Sequence, residues 1–277
     1  MIDSDKLFEK HLKKWLDEHK GEYTADETEE MIPELYEKWV TTPSAETDGV
    51  TPEEYFARVT DPSVLVDEFV RTNRGDGNPC SLLLDRIAEV PECAPGLIKI
   101  IEENADPKTV IAAMDVLDES GAEQPLGYYA GLIVDENADE GVVEKAAEIL
   151  KENAGAVRDA LFAEIPKANN AQKQIIADIL VETDRDDRTF ELMKELFAAK
   201  ANVPFIAGLL GKYGDERAAA FLYPALDDSN YLEFMEIRNA IEQLGGVVDD
   251  TYRDFTDDPY YNEINHLKKL NSKNEKL

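Results

Sequence analysis

The sequence predicts an all-α protein, an α-solenoid of antiparallel helix pairs that follows an N-terminal helical region. A short motif, an apolar residue followed three positions later by Leu, recurs along the last two-thirds of the chain. It occurs at Met114/Leu117, Ala147/Leu150, Ala177/Leu180, Ala207/Leu210 and Ile241/Leu244. Its period of about 30–34 residues is typical of two-helix solenoid repeats. In addition, no stretch shows the period-2 alternation of a β-strand over a useful length.

The N-terminal helical region, residues 1–78, contains four predicted helices. The first is amphipathic and covers residues 5–20. The second begins at Thr24, which forms a capping-box pattern with Glu27 three residues later. Each of the other two begins with an N-cap residue followed by Pro at the first helical position. Those two starts are Thr51-Pro52 and Asp61-Pro62.

Five helix pairs are predicted in the repeat region, residues 79–246, after a cluster of turn-forming residues at 74–79. The first helices of the pairs are expected near residues 95–103, 125–135, 157–166, 187–199 and 216–226. The second helices are expected near residues 107–119, 140–153, 170–182, 203–213 and 231–244. The repeated Leu residues should face neighbouring helices and be buried; these are Leu117, Leu150, Leu180 and Leu210.

The C-terminal segment, residues 247–277, is rich in aromatic residues in its first half. It is predicted to cap the exposed face of the last repeat, which a solenoid needs. The Lys- and Asn-rich end, from Asn262, is predicted to be a frayed tail.

The second helices of the repeats share a sequence pattern. Residues 142–150 read V-V-E-K-A-A-E-I-L, and residues 207–211 and 240–245 carry related runs that end in Gly. The pattern resembles the HEAT-like repeats of the phycobilisome-lyase type, whose second helix reads V-R-x-x-A-A-x-A-L-G, over roughly residues 91–246. Val143 and Lys173 stand where that pattern has Arg. The resemblance implies a HEAT-like solenoid whose second helices line a concave face. It implies no single function, because such repeats serve adaptors, lyases and glycosylases alike.

The chain is strongly acidic, with a net charge of −31. The charge is concentrated in residues 21–261, which hold 20 basic and 53 acidic residues. A surface of this sign repels nucleic acid and anionic membranes and attracts basic proteins. The predicted partner is therefore a basic protein rather than nucleic acid or a membrane. A coat that only maintains solubility is the alternative explanation of the charge.

The remaining composition predicts a cytoplasmic protein. Cys80 and Cys93 are the only cysteines, and they form neither a CxxC pair nor a disulfide framework. Buried or incidental thiols in a reducing compartment are expected. The N-terminus lacks the apolar core of a signal peptide, and no apolar run approaches the ~18 residues of a membrane span.

Acidic residues recur at one helical position of the repeats and again four residues later. These acid pairs are Asp115/Glu119, Glu148/Glu152 and Asp178/Glu182. Residues four apart share a helix face, and equivalent helices stack side by side in a solenoid. The three acid pairs are therefore predicted to form one exposed ladder, and the HEAT-like resemblance implies that this ladder lines a concave groove. The alternative is an ordinary solvated helix face.

No pattern predicts a catalytic, cofactor or metal site. GxSxG, Walker A and GxGxxG sequences are absent. Residues 183–188 resemble a calcium loop only in composition, because the Gly and the terminal Glu of an EF-hand loop are missing. A solvated turn with local Arg–Asp pairs is the preferred interpretation. Asp257 and Asp258 are a weaker metal or ligand candidate, and a polar cap is the preferred interpretation there.

The sequence thus favours a non-enzymatic protein-binding or scaffold protein with an acidic groove for a basic protein segment. One alternative is an enzyme on a helical-repeat scaffold, similar to a nucleic-acid glycosylase, which would need a basic surface for phosphates. The other is an acidic inhibitor that mimics nucleic acid and occupies a DNA-binding protein.

Overall fold

The computed structural model of the chain is helical throughout the part that it describes. The described residues are 1–75, 77–103, 106–249 and 252–274, and the side chains of residues 265 and 268–274 are not described. Sixteen α-helices and no strand occur in these ranges. The all-α prediction is therefore confirmed for the described residues.

Internal packing divides the chain into two compact units. Unit 1 comprises Met1–Pro125 and Asp139–Lys145, and unit 2 comprises Leu126–Ala138 and Ala146–Leu277. Unit 1 contains the helices α1 Ser4–Glu18, α2 Ala25–Val40, α3 Pro52–Ala57, α4 Pro62–Thr72, α5 Ser81–Ala88, α6 Ala94–Glu102 and α7 Pro107–Glu119. The turn cluster at residues 74–79, predicted to separate two regions, lies within unit 1, and its residue 76 is outside the described residues.

Unit 2 contains most of the predicted repeats. Its helices are α8 Leu126–Leu132, α10 Ala154–Glu164, α11 Asn170–Leu180, α12 Asp187–Ala198, α13 Val203–Tyr213, α14 Ala219–Ala225, α15 Tyr231–Gln243 and α16 Pro259–Asn274. Helix α9, Glu140–Glu152, is divided, with residues 140–145 in unit 1 and 146–152 in unit 2. The ten predicted repeat helices are all present, most with ends within a few residues of those predicted.

Polar caps explain why the helices begin where the sequence predicts. Thr24 and Glu27 form the expected capping box at the start of α2, and the N-cap of α3, Thr51, forms another with Glu54. Asn169 and Asn230 cap α11 and α15 in the same way. Each cap satisfies backbone N–H groups that the first helical turn leaves without partners.

Two helices differ from the sequence prediction. Helix α5 is not predicted, because its cap comes from far away in the sequence: the carboxylate of Asp5 accepts hydrogen bonds from the Ser81 N–H at 3.2 Å and the Ser81 hydroxyl at 2.7 Å. Helix α16 occupies the segment from Asn262 that was predicted to be frayed, up to residue 274. Residues 275–277 are outside the described residues.

The predicted core positions are buried. Leu117 in unit 1 and Leu150, Leu180 and Leu210 in unit 2 are each at most 1% exposed. Helices α13 and α15 of unit 2 approach closely, because a Cβ at Gly211 would lie 2.9 Å from the Cα of Ala240. Glycine at this position therefore permits the contact.

Candidate acidic binding surface

The acid pair of unit 1 lies at the C-terminal half of α7. Asp115 and Glu119 are both exposed, as expected for residues four apart on one helix face. Lys145, in the second turn of α9, places its Nζ 2.8 Å from Asp115 Oδ1. Glu119 makes no ion pair within the described part of the chain, so this pair retains one uncompensated carboxylate.

The two acid pairs of unit 2 lie on α9 and α11, and lysines of α9 and α13 bind the pair on α11. Lys151 Nζ lies 2.7 Å from Asp178 Oδ2 and 3.7 Å from Glu182 Oε1. Lys212, on α13, lies 2.5 Å from the same Glu182 oxygen. Lysines thus join α9 to α11 and α11 to α13. Glu148 and Glu152, the pair on α9, are both exposed.

These ion pairs shift the protonation equilibria of the groups involved. The hydrogen bond from Lys212, followed by the charges of Lys212 and Lys151, lowers the pKa of Glu182 against the opposing effect of partial burial. The hydrogen bond to Asp178 raises the pKa of Lys151. Glu182 is therefore stabilised in its charged form rather than destabilised by acidic neighbours.

The lysines change the physical character expected for the acid pairs. From the sequence, like charges at positions i and i+4 should repel and slightly destabilise each helix. In unit 2 the pair Asp178/Glu182 is instead compensated by cations from the two neighbouring helices. Local sequence does not reveal this, because the contacts join residues about 30 positions apart. The concave placement of the six acids stays a prediction.

A second repeated contact, which the sequence analysis missed, involves arginine. Arg188 pairs with Asp186 two residues before it and with Asp159 on α10, at 2.9 and 3.2 Å. Its guanidinium carbon lies 3.9 Å from the centroid of the Phe162 ring. An arginine in this position stacks on an aromatic ring while its edge binds carboxylates.

The next repeat makes the same contact. Arg217 pairs with Asp215 and with Asp187 on α12, at 2.6 and 2.8 Å, and lies 4.3 Å from the ring centroid of Phe190. The signal that could have predicted these two arginine contacts is the sequence D-x-R at 186–188 and 215–217, with a period of about 29 residues. The first member falls in residues 183–188, where the local pair Arg188–Asp186 forms as interpreted, although residues 187 and 188 already belong to α12.

Of the two acids weighed near the C-terminal end of unit 2, Asp258 is a helix cap, as preferred from the sequence. Asp258 accepts hydrogen bonds from the backbone N–H groups of Tyr260 and Tyr261 in α16 and of Tyr231 in α15. These backbone hydrogen bonds hold the pKa of Asp258 below its usual value. One carboxylate therefore caps two helices, and its oxygens are committed to that role.

Metal ligands, thiols and an apolar groove are the other chemical features of the described residues. No group of three or more His, Cys, Asp and Glu side chains within them could hold a metal ion. Both cysteines are buried and free, and burial raises the pKa of the Cys93 thiol, which disfavours the reactive thiolate. A groove of about 780 Å³ between α10 and α12 has apolar walls that include Phe162 and Leu192. Its two basic lining residues, Arg188 and Lys194, are already paired with acids.

No family model matches the chain, and no curated protein or solved structure matches it significantly. Within the described residues, none of the helices is both long enough and apolar enough to cross a membrane.

Proposed function

We propose that this protein is a non-enzymatic binding or scaffold protein that holds a basic protein segment on its acidic surface. The single observation that carries the proposal is the recurrence of an exposed glutamate at one position of α7, α9 and α11, namely Glu119, Glu152 and Glu182. The position four residues earlier is exposed in α7 and α9, but Asp178 in α11 is half-buried, which differs from the expected ladder of six exposed acids. Exposed glutamates on rigid helices present negative charge at fixed positions, and such charge raises the association rate of basic partners.

We further propose that the helix pairs form a HEAT-like solenoid. The contacts of Arg188 and Arg217 support this architecture, because they are equivalent and lie about one repeat apart. A solenoid requires recurring contacts between neighbouring repeats, since each repeat buries its apolar face only against its neighbours.

The lysines of unit 2 neutralise some carboxylates of the acid pairs and leave others without a cationic partner. Asp178 and Glu182 are occupied by Lys151 and Lys212, whereas Glu119 and Glu152 make no ion pair within the described residues. Glu119 and Glu152 are therefore the acids whose removal tests binding without breaking an existing bridge.

The test is the association of the full chain with a peptide of alternating Arg and Ser, measured by stopped-flow fluorescence at low and high salt. The double variant Glu119→Gln/Glu152→Gln should slow association at low salt. Glu29→Gln/Glu34→Gln is the matched control, because it removes the same charge from exposed residues of α2. Electrostatic steering weakens as salt shortens the Debye length, so the variant and the wild type should converge at high salt.

If the test and control variants slow association equally, the acid pairs are not a specific binding surface, and the effect comes from the general negative charge of the protein. A short DNA duplex serves as the opposite probe. Binding of the duplex would favour the glycosylase-like alternative instead.

A further inference from the structure

A cleft in unit 1 combines apolar walls with carboxylates. It lies between α2, α3 and α5 and has a volume of about 450 Å³, within the range of ligand pockets. Its apolar lining consists of Tyr36, Val40, Phe56, Ala57 and Leu82. Phe56 and Leu82 are core residues, whereas Tyr36 and Val40 are half-buried and Ala57 is exposed. The floor is thus fixed by the core, and the rim is open to a partner.

The charged groups of the cleft leave a negative excess. Three carboxylates, of Glu53, Asp85 and Glu89, line it together with the single guanidinium of Arg86. Arg86 is committed, because it donates to the Val59 carbonyl at 3.0 Å and to the Glu89 carboxylate at 3.1 Å. Neither Glu53 nor Asp85 makes an ion pair within the described part of the chain.

The pKa of Asp85 reflects the same excess of negative charge in the cleft. Partial burial, and then the negative charges of Glu119, Glu89 and Asp5, raise the pKa of this carboxyl. A cation placed beside Asp85 would remove that penalty, because an opposite charge favours the ionised form. Glu119 belongs to the acid pair of unit 1, so the cleft and that pair contribute to one local field.

We propose that this cleft anchors a basic partner segment by taking one Arg or Lys side chain together with an adjacent apolar side chain. The proposal rests on the proposed function and names the feature that would give the partner specificity. The cationic group would face Asp85 and Glu53, and the aliphatic stem would lie on the apolar walls, as long basic side chains commonly do. The chemistry that recognises the partner is therefore an amphipathic basic sequence rather than positive charge alone.

Two peptides of equal length and charge separate these contributions. One alternates Arg and Leu, and the other alternates Arg and Ser. Equilibrium binding of each to the full chain is measured by fluorescence anisotropy at near-physiological salt. The Arg/Leu peptide should bind about tenfold more tightly, which is the gain from one well-buried anchor residue.

Two variants test the cleft itself. Ala57→Trp fills the cleft from an exposed position without changing charge, and it should abolish the preference for the Arg/Leu peptide while leaving Arg/Ser binding unchanged. Glu53→Gln/Asp85→Asn should weaken Arg/Leu binding about tenfold, more than its matched control Glu34→Gln/Asp67→Asn, which removes two exposed acids elsewhere in unit 1. Circular dichroism of each variant checks the fold.

The outcomes distinguish the cleft from the proposed function. If both peptides bind equally, or if Ala57→Trp leaves the preference intact in a folded protein, the cleft is not the anchor and the proposed function stands. If neither peptide binds at near-physiological or low salt, the proposed function fails and the cleft proposal fails with it.

Discussion

At the scale of single residues, the carboxylate of Glu68 in unit 1 accepts three charge-assisted hydrogen bonds. Arg71 donates two hydrogen bonds to its carboxylate, at 2.7 and 2.6 Å, and the amino group of Met1 donates a third at 2.6 Å. Chiefly through Arg71, these contacts lower the pKa of Glu68 from 4.5 to about 2. The side chain is only 11% exposed, so solvent screens the interaction weakly.

Glu68 should therefore make stability depend on pH. Its folded-state pKa lies below its unfolded value, so its contribution is complete above about pH 5 and is lost as pH falls towards 2. A pKa shift corresponds to a difference in free energy between the two protonation states. Converted in this way, the lowered pKa predicts that Glu68→Gln lowers the free energy of unfolding by at most about 3 kcal/mol at pH 7. Urea unfolding at pH 7 and pH 3 measures this, with Glu34→Gln as control. A difference from wild type that does not shrink at pH 3 would contradict the assignment.

The lysine bridges predict opposite results for two glutamates of the acid pairs. Glu182→Gln should lower the free energy of unfolding by up to about 1 kcal/mol, because it releases Lys151 and Lys212 from a partly exposed bridge. Glu119→Gln should be neutral or slightly stabilising, because it removes repulsion with Asp85. Thermal unfolding of the two variants side by side measures the difference. Equal effects would show that the bridges contribute nothing.

Residue-level prediction from the sequence succeeded where partners are local and failed where they are distant. The capping box of Thr24 and Glu27 is encoded within four residues and forms as predicted. The contacts of Lys151 with Asp178 and of Arg188 with Asp159 join residues more than 25 positions apart. Their formation depends on how neighbouring helices are aligned, which hydrophobic periodicity does not specify.

At the scale of elements, the contact between α13 and α15 gives a sharp test of packing in unit 2. Gly211→Ala should destabilise the protein, because its Cβ would approach the Ala240 backbone to 2.9 Å. Gly208→Ala, three residues earlier in the same helix, meets no atom within 4 Å. It should stabilise α13 by up to about 1 kcal/mol, as expected for replacing helical Gly with Ala. Chemical denaturation of both variants measures the contrast.

The same pair of variants checks the helix alignment. If Gly211→Ala were as stabilising as Gly208→Ala, α13 and α15 would not approach each other at this position. The sequence places both glycines in α13, but it does not distinguish the one at the interface from the other. That distinction depends on which face of α13 meets Ala240 and Gln243.

Helix boundaries were more predictable than helix partners. The repeat period locates all ten repeat helices, and polar side-chain caps mark the starts of α7, α11, α12 and α15, because both signals are local in the sequence. Helix α5 was missed since Asp5 of α1 caps it from a distance. Helix α16 was missed since the composition of its second half suggested fraying, whereas Asp258 caps its first turn.

At the scale of the whole molecule, the net charge of −31 admits two explanations, a specific binding surface and a general solubility coat. Composition alone does not separate them, because both require exposed acids. Within the acid pairs the ion pairs narrow the candidates, because they leave Glu119 and Glu152 without a described cationic partner while Asp178 and Glu182 are bridged. A binding surface should therefore be selective among the acids of the chain.

The most direct test is zero-length carbodiimide cross-linking of the full chain to a peptide of alternating Lys and Ser, with the linked residues mapped by mass spectrometry. Cross-links should concentrate at Glu119 and Glu152 and be rare at Glu29 and Glu34 of α2, which are also exposed. A linkage pattern spread over all of these acids in proportion to their exposure would contradict the proposal of a specific acidic binding surface and identify the acidity as a solubility coat.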